Sequence, residues 1–244
     1  MKTVTVILSI ALLSVSSLHA QWWGNGNKVE GNGNVVTKTR NLSSYDQVKL
    51  KGSLDVALVS GTEGNIKIEA ESNLIKHIVT EVEGDILKIY VEKNYYLKPS
   101  RNKIILITVP FKDISKVSLS GSGDIYSEDV IKANSFETRV SGSGDVRLHV
   151  EANELEGSVS GSGDLTLKGS TENLEFNVTG SGDVRAYELR AKNVDASVTG
   201  SGDIKLTSTH SLKARVTGSG DIDYKGNPEK EDKKVSGSGD ITGH

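Results

Sequence analysis

The chain of 244 residues carries a formal net charge of −3, contains 35% hydrophobic but only 5% aromatic residues, and has no cysteine. This slightly acidic balance gives no general case for a nucleic-acid partner, and the lack of cysteine excludes disulfide bonds. Because few large side chains are available, the composition favours a thin core of Val, Ile and Leu over a thick globular core.

Residues 1–20 are predicted to be a signal peptide. Lys2 supplies the positive start, an apolar run extends from Val4 to Leu18, and "LHA" ends at Ala20 with the small residue that signal peptidase requires. The run is too short and too polar for a membrane anchor. We therefore expect export to the periplasm, the outer-membrane surface or the medium, with no transmembrane segment after the signal peptide is cleaved.

Two segments precede the regular part of the sequence. Residues 21–40 are predicted to form a flexible Gly- and Asn-rich leader and a degenerate first turn, in which Asn34 stands where later copies of a repeat have Asp. Residues 41–116 contain alternating runs such as "NIKIEA" and "DILKIYV", which are typical of strands. Asp55 and Asp85 are spaced as further turns with insertions, so we predict irregular β turns here. A separate antiparallel domain over 41–116 is the alternative.

Residues 117–244 repeat one short phrase, which reads "VSGSGDV" at 140–146. The aspartates of its seven copies follow one another at intervals of 18 to 21 residues: Asp124, Asp145, Asp164, Asp183, Asp203, Asp221 and Asp240. Such a period predicts one turn of a stacked coil per copy. We predict an all-β fold, a single-stranded right-handed parallel β-helix with turns of about 19 residues, which is more irregular in its N-terminal half.

The seven aspartates should form a ladder at the corner of the coil. Neighbouring carboxylates would lie about 4.8 Å apart and repel each other. We predict that each carboxylate accepts backbone N–H hydrogen bonds from its own Gly-Ser-Gly corner, as Asp does in Asx turns. Calcium held between turns is the alternative, although the match to calcium-binding repeats is poor. We expect no other cofactor.

The sequence contains no recognisable catalytic arrangement. His77, His149, His210 and His244 occupy unrelated positions in the repeat, and neither HExxH nor GxSxG is present. We therefore expect no catalytic or cofactor-binding residues. A carbohydrate-active enzyme is the alternative, because β-helices also host polysaccharide lyases and hydrolases.

The outward positions of the repeat predict a candidate binding surface. Positions two and four after the motif aspartates collect a basic, partly aromatic stripe: Tyr126, Arg147, His149, Lys168, Arg185, Tyr187 and Lys205, with Lys225 beyond them. Another outward position is acidic: Glu137, Glu156, Glu175 and Asp195. Because Arg pairs with carboxylates and Tyr stacks on sugar faces, the stripe predicts an extended site for an acidic glycan. Charge alternation for solubility is the alternative.

The C-terminal end of the coil is predicted to be polar. "KGNPEKEDKK" (225–234) replaces the usual apolar segment with charges, and Glu231 stands where other turns have Leu or Phe. Such a turn protects the open end of a solenoid from pairing with other chains. We expect the final "DITGH" to be loosely held.

Several longer passages together carry a family resemblance: "GNGNVVTKTRNLSSYDQVKLKGSLDVALVSG", "VEGDILKIYV", "ITVPFKDISKVSLSGSGDI" and the GSGD turns that follow. Over about residues 30–244 the chain resembles the head GIN domain family of Bacteroidetes-type auto-transporter adhesins. The resemblance implies a right-handed β-helix without catalytic residues. We therefore expect an exported binding module at the cell envelope that recognises a glycan or a surface protein. A structural protein that assembles by coil stacking is the alternative.

Overall fold

The computed structural model describes residues 26–244, so the predicted signal peptide at 1–20 lies outside the described residues. Nine strands precede the regular repeats: β1 (Asn27–Glu30), β2 (Val35–Asn41), β3 (Gln47–Gly52), β4 (Asp55–Ser60), β5 (Asn65–Glu71), β6 (Ile78–Glu83), β7 (Ile86–Val91), β8 (Tyr95–Lys98) and β9 (Leu106–Phe111). A 3-10 turn at Ile75–His77 separates β5 from β6. Among the described residues, no helical segment has the length and hydrophobicity that a bilayer crossing requires.

Nine further strands form the regular repeats: β10 (Lys116–Gly121), β11 (Ile125–Gly142), β12 (Val146–Gly161), β13 (Leu165–Gly180), β14 (Val184–Gly200), β15 (Ile204–Gly218), β16 (Ile222–Lys225), β17 (Lys230–Gly237) and β18 (Ile241–Gly243). Each pairs in parallel with a strand of a neighbouring turn. The corner glycines of consecutive turns lie opposite one another: Gly121, Gly142, Gly161, Gly180, Gly200, Gly218 and Gly237. The predicted parallel β-solenoid, with one GSGD copy above the next, is confirmed.

The corner of each turn requires glycine, as Gly142 shows. Its φ is +122°, and a Cβ added there would lie 2.3 Å from the carbonyl oxygen of Gly121 in the turn below. That oxygen accepts hydrogen bonds from the N–H groups of Ser143 (2.9 Å) and Gly144 (3.0 Å). A side chain at this position would therefore strain the backbone and separate the two turns.

Columns of apolar side chains fill the interior, one layer per turn. The residue after each of the first six motif aspartates is fully buried: Ile125, Val146, Leu165, Val184, Ile204 and Ile222. A second column, formed by the residues four positions before the Val of the next motif, is buried as well: Phe136, Leu155, Leu174, Val194 and Leu212. A large side chain in one layer is matched by a small one in the next. The ring of Phe176 fills the space beside Gly157, where a Cβ added to Gly157 would lie 2.6 Å from the ring.

The N-terminal strands share this core but mix two pairing modes. β3 pairs in parallel with β10, which places Gly52 opposite Gly121, and β4 pairs in parallel with β11. In contrast, β2 pairs antiparallel with β5, β5 with β9 and β6 with β7. A single buried cluster includes residues from Tyr45 to Tyr224. The predicted irregularity of the N-terminal half thus arises from antiparallel strands packed on the same core.

The sequence predicts early turns at Asn34, Asp55 and Asp85, and only Asp55 lies in the corner ladder. The N–H of Asp124 donates to Asp55 Oδ1 at 3.3 Å, so Asp55 is the first member of the ladder. Asn34 precedes the antiparallel strand β2, and the Asp85 carbonyl accepts the N–H of Asp46 (2.9 Å) at the start of β3. Asn34 and Asp85 therefore lie outside the ladder: Asn34 leads into an antiparallel strand, whereas Asp85 precedes β7, which continues the parallel stack beside β3.

The C-terminal turn is polar, as predicted. Every residue of β17 is exposed, and Glu231 lies opposite Leu212 of the previous turn. The hydroxyl of Tyr224 donates to Glu231 Oε1 at 2.8 Å, and Lys233 Nζ donates to the same hydroxyl at 2.9 Å. The final residues are not loosely held: Ile241 opposes Ile222 in a parallel pair of strands.

Candidate functional site

Most of the predicted stripe lies in one groove on the surface of the coil. Six of its seven residues line a depression of about 570 Å³: Tyr126, Arg147, Lys168, Arg185, Tyr187 and Lys205. Ser127, Thr166 and Glu188 complete the lining, and the buried core residues Leu148 and Leu167 lie beneath it. We call this depression the tyrosine–lysine groove. It crosses the consecutive strands β11 to β15.

The register of the parallel strands aligns these side chains. Tyr126 opposes Arg147, Arg147 opposes Thr166, Thr166 opposes Arg185, and Arg185 opposes Lys205. All of them stand two residues after a motif aspartate, so they point to the same side of the sheet. Thr166 holds this position too, and only its uncharged side chain kept it out of the predicted stripe.

A β-bulge places Tyr187 beside this column. Between Thr166 and Gly169 of β13 the register with β14 shifts, because β14 has one more residue between Arg185 and Leu189. A bulge bends its strand and redirects the side chains that it carries. Lys225 Nζ lies 4.4 Å from the centroid of the Tyr187 ring, a cation–π contact that holds the ring in place. The extra residue is visible in the sequence, because the interval from Asp183 to Asp203 is 20 residues and the preceding interval, from Asp164 to Asp183, is 19.

His149 is the one predicted stripe residue that does not line the groove. It opposes Val130 on one side and Lys168 on the other, after a register shift that follows Tyr126. Its backbone N–H donates to Ser127 Oγ at 2.8 Å. Because β11 has two extra residues before Val130, the sequence position of His149 did not reveal its displacement.

The two arginines of the groove are already paired with the aspartate ladder. Arg147 Nη2 lies 2.6 Å from Asp145 Oδ2, and its Nη1 lies 3.9 Å from Asp124 Oδ2. Arg185 bridges Asp164 and Asp183. The hydrogen bond to Asp164 holds the pKa of Arg185 above its usual value. These guanidinium groups thus neutralise ladder carboxylates, and both side chains remain about half exposed.

Lys168 and Lys205 are the free cations of the groove. Among residues 26–244, no carboxylate oxygen lies within 4.0 Å of either ammonium group. They stand on β13 and β15, one on each side of Arg185, with Tyr126 and Tyr187 in the same lining. The groove therefore offers two unpaired positive charges and two aromatic rings.

The aspartate ladder uses donors from the neighbouring turn. The N–H of Asp145 donates to Asp124 Oδ1 (3.1 Å), and the same bond recurs at every step as far as the N–H of Asp240, which donates to Asp221 Oδ1 (2.7 Å). The predicted donors in each aspartate's own corner are wrong, because those N–H groups bond the glycine carbonyl below. At the end of the ladder, Asp240 Oδ1 accepts the N–H of Ile241 at 2.8 Å.

The predicted acidic residues also lie in one column, and all of them except Glu137 line a second groove of about 480 Å³. Glu137, Glu156, Glu175 and Asp195 oppose one another in register. Most of this charge is neutralised within the chain: Lys116 Nζ lies 2.7 Å from Glu137, and Lys213 Nζ lies 2.7 Å from Asp195. Over residues 26–244, no group of three or more His, Asp or Glu side chains is arranged to hold a metal ion.

Comparison with known proteins places this architecture in a described group. The family model "Putative auto-transporter adhesin, head GIN domain" matches residues 44–228. A crystal structure of a "putative adhesin" from Bacteroides fragilis NCTC 9343 is similar, with a TM-score of 0.80 and 24% identity, over 88% of this chain and 100% of that chain.

Two structures from Parabacteroides are also similar. A "putative lipid binding protein" from Parabacteroides distasonis ATCC 8503 has a TM-score of 0.73 and 29% identity, over 89% of this chain and 100% of that chain. A "putative adhesin" from Parabacteroides merdae ATCC 43184 has a TM-score of 0.69 and 21% identity, over 89% of this chain and 99% of that chain. No curated protein sequence matches the chain.

Proposed function

The chain belongs to the head GIN domain family, and on that premise we propose that it is an exported, non-catalytic binding module of the cell envelope that holds an acidic glycan in the tyrosine–lysine groove. The observation that carries this proposal is the pair of free lysines, Lys168 and Lys205, which line one groove together with Tyr126 and Tyr187. Lysine ammonium groups attract the carboxylates of acidic sugars, while tyrosine rings cover the apolar faces of sugar rings.

The spacing of the turns suits a chain-like ligand. Parallel strands repeat about every 4.8 Å, so Lys168 on β13 and Lys205 on β15 are two turns, or about 10 Å, apart along the coil. An extended acidic oligosaccharide laid along the groove can place one carboxylate near each lysine. Tyr187 on β14 then contacts the sugar ring between the two lysines, and Tyr126 on β11 contacts a further ring beyond Lys168.

The lining of the groove supports binding rather than hydrolysis. Glycoside hydrolysis generally uses two carboxyl groups that flank the scissile bond. The lining contributes one carboxylate, that of Glu188. The nearby carboxylates of Asp164 and Asp183 are engaged by Arg185 and by backbone N–H groups of the ladder.

A lysine substitution series tests the proposal. We expect Lys168→Ser/Lys205→Ser to bind polygalacturonate about tenfold more weakly or worse at low salt, which corresponds to about 1.4 kcal/mol. The matched control is Lys38→Ser/Lys67→Ser, which removes two exposed lysines from β2 and β5. Binding is measured by isothermal titration calorimetry at 20 and 200 mM NaCl, since screening should weaken a lysine-dependent complex.

Three outcomes would overturn the proposal. Undiminished binding by the groove variant would exclude the groove, and absence of binding by the parent protein at 20 mM NaCl would exclude the ligand class. The relative from Parabacteroides distasonis is described as lipid binding, so vesicles with anionic lipid are the third probe. Binding to such vesicles without binding to polygalacturonate would reassign the groove to lipid head groups.

A further inference from the structure

The remaining exposed tyrosines of the described chain gather in a second groove, at the N-terminal end of the coil. Of seven tyrosines, Tyr45 and Tyr224 are buried in the core and two line the tyrosine–lysine groove. The other three, Tyr90, Tyr95 and Tyr96, line a depression of about 470 Å³ together with Lys51 and Lys93. We call this depression the cap groove. Every tyrosine outside the core thus lies in one of two grooves.

The rings of the cap groove are held in place by specific contacts. Tyr95 stacks on His77 with ring centroids 4.0 Å apart. His77 in turn lies 3.1 Å from Glu92 Oε2 through its Nδ1, and the N–H of Glu92 donates to the His77 carbonyl at 2.8 Å. The hydroxyl of Tyr90 donates to Glu81 Oε1 at 2.7 Å. A ligand would therefore meet rings that are already ordered, which lowers the entropic cost of binding.

The turn between the strands that carry these rings, β7 and β8, is also held by backbone contacts. Asn94 adopts a φ of +68°, a left-handed conformation that turns the chain between β7 and β8. Its carbonyl accepts the N–H of Asn27 at 2.7 Å, and β1 then pairs in parallel with β8. The ring of Tyr96 is nevertheless 58% exposed, the largest exposed fraction among the exposed large apolar side chains of residues 26–244. The paired strand β8 thus presents an aromatic face to the solvent.

The cap groove carries unpaired positive charge, which favours an anionic ligand. Among residues 26–244, no carboxylate oxygen lies within 4.0 Å of the ammonium groups of Lys51 and Lys93. The one carboxylate of the lining, Glu92, is engaged by His77. The volume of about 470 Å³ lies within the range of small-molecule sites.

We propose that the cap groove is a second binding site, which takes a short acidic sugar of one or two units through stacking on Tyr95 and Tyr96 and ion pairs with Lys51 and Lys93. Its ligand class is the same as in the proposed function, but the site is built from different residues at the N-terminal end of the coil. Each groove can therefore fail or succeed without the other.

NMR of selectively labelled tyrosine rings measures ligand binding at the cap groove and at the tyrosine–lysine groove in one experiment. The protein is prepared with ¹³C at the tyrosine ε positions, and the ring resonances are assigned with single Tyr→Phe variants. Titration with digalacturonate should shift the resonances of Tyr95 and Tyr96 with a saturable curve, while those of the core residues Tyr45 and Tyr224 stay in place. Maltose, a neutral disaccharide, should produce no saturable shift. The resonances of Tyr126 and Tyr187 report separately on the tyrosine–lysine groove.

Variants then assign the effect to the cap groove. Lys51→Ser/Lys93→Ser should weaken the titration of Tyr95 at least tenfold and leave the responses of Tyr126 and Tyr187 unchanged. Tyr96→Ala should do the same, whereas Ile104→Ala, which truncates a side chain that is 57% exposed and lies outside the groove, should have no effect. Unshifted resonances at Tyr95 and Tyr96, equal shifts with maltose, or shifts with oligo-dT but not with digalacturonate would each overturn the proposal.

Discussion

Stacked aspartates in consecutive turns place like charges about one strand spacing apart. Two unit charges at about 4.8 Å repel by roughly 0.9 kcal/mol in water and by roughly 3.5 kcal/mol at an effective dielectric of 20. Two features of the structure offset this repulsion. One oxygen of each carboxylate from Asp124 to Asp221 accepts the N–H of the next aspartate. Arg147 and Arg185 neutralise the other oxygen at several steps.

This pairing decides which substitutions can test the tyrosine–lysine groove. Replacing Arg147 or Arg185 would leave ladder carboxylates without a counter-charge, so a loss of binding could not be separated from a loss of stability. Lys168 and Lys205 carry no such structural role among the described residues. Ligand binding should therefore be tested through the lysines alone.

Glu71 is a second residue whose charge the fold depends on. It is fully buried at the end of β5 and accepts hydrogen bonds from the N–H (2.8 Å) and hydroxyl (2.6 Å) of Ser100 and from the N–H of Gly33. Burial by itself would raise the pKa of Glu71, but the hydrogen bonds from Ser100 and Gly33 and the charge of Lys103 lower it below its ordinary 4.5. The carboxylate thereby ties together the connections before β2 and after β8.

Glu71 predicts a local loss of stability in acid. Because its pKa is lower in the folded state, its contribution is fully present above about pH 4.5 and is lost as the pH falls through the folded-state pKa. We expect the protection of the Gly33 and Ser100 amides against hydrogen exchange to fall over that range. Glu71→Gln should lower this protection already at pH 7, by about 1–3 kcal/mol of local opening free energy.

Hydrogen exchange read by NMR between pH 7 and pH 3 measures this effect. Glu69→Gln is the matched control, since Glu69 lies two residues earlier on the same strand with an exposed side chain. Full protection of Gly33 and Ser100 in Glu71→Gln would show that the carboxylate does not hold these connections.

At the scale of single elements, the corner predicts a clear difference between two glycines with positive φ. Gly142→Ala would set a Cβ 2.3 Å from a backbone oxygen and force a φ of +122°, so we expect it to destabilise the protein by about 2–3 kcal/mol. Gly84 turns the β6–β7 hairpin at a φ of +62°, with no heavy atom within 4 Å of an added Cβ. Gly84→Ala should cost about 1 kcal/mol.

Urea unfolding followed by circular dichroism compares the two glycine variants. The corner variant should also fail to refold to the parent spectrum if two turns are forced apart. Equal destabilisation by Gly142→Ala and Gly84→Ala would mean that backbone conformation alone, and not contact with the turn below, explains the corner glycines.

The elements differ in how far the sequence predicts them. A constant period implies equal register in consecutive turns, so the regular strands, their buried columns and six residues of the tyrosine–lysine groove follow from counting positions after each aspartate. The period carries no information where it is broken. The extra residues of β11 displaced His149, and Asn34 and Asp85 lie outside the ladder. The cap groove was missed for the same reason, because Tyr90 and Tyr95 lie on strands β7 and β8, which belong to no repeat.

The Arg–Asp pairs illustrate a further limit. Arg147 and Arg185 stand two residues after their motif aspartates, a separation that puts both side chains on one face of a strand. That separation predicts a binding stripe that contains both arginines. It equally allowed them to pair with the ladder, and only the side-chain distances distinguish the two roles.

For the whole molecule, the open ends of the coil decide whether it stays single or stacks. A parallel solenoid exposes unpaired strand groups at its last turn, and such an edge pairs with another chain unless charges or bulk prevent it. Here the last turn presents the charged strand β17, in which Glu231 replaces the Leu or Phe of other turns. This arrangement favours a binding module over a scaffold that grows by coil stacking.

Replacing the charged segment should convert the molecule into a stacking unit. If residues 229–234, "EKEDKK", are changed to "ENLEFN" from residues 172–177, a leucine lies above Leu212 and a phenylalanine above Ala214. The apolar end and the loss of three lysines should then promote end-to-end association, since buried apolar surface stabilises contacts by about 25 cal/mol per Å². Light scattering coupled to size-exclusion chromatography, from 10 to 500 µM protein, measures the mass.

A second variant with "ENQEQN" at 229–234 makes the same backbone replacement without the apolar side chains, and it should remain a monomer. A variant with "ENLEFN" that is monomeric at the highest concentration would contradict the protective role of the terminal turn, and a parent protein that already forms long oligomers would favour the scaffold function instead.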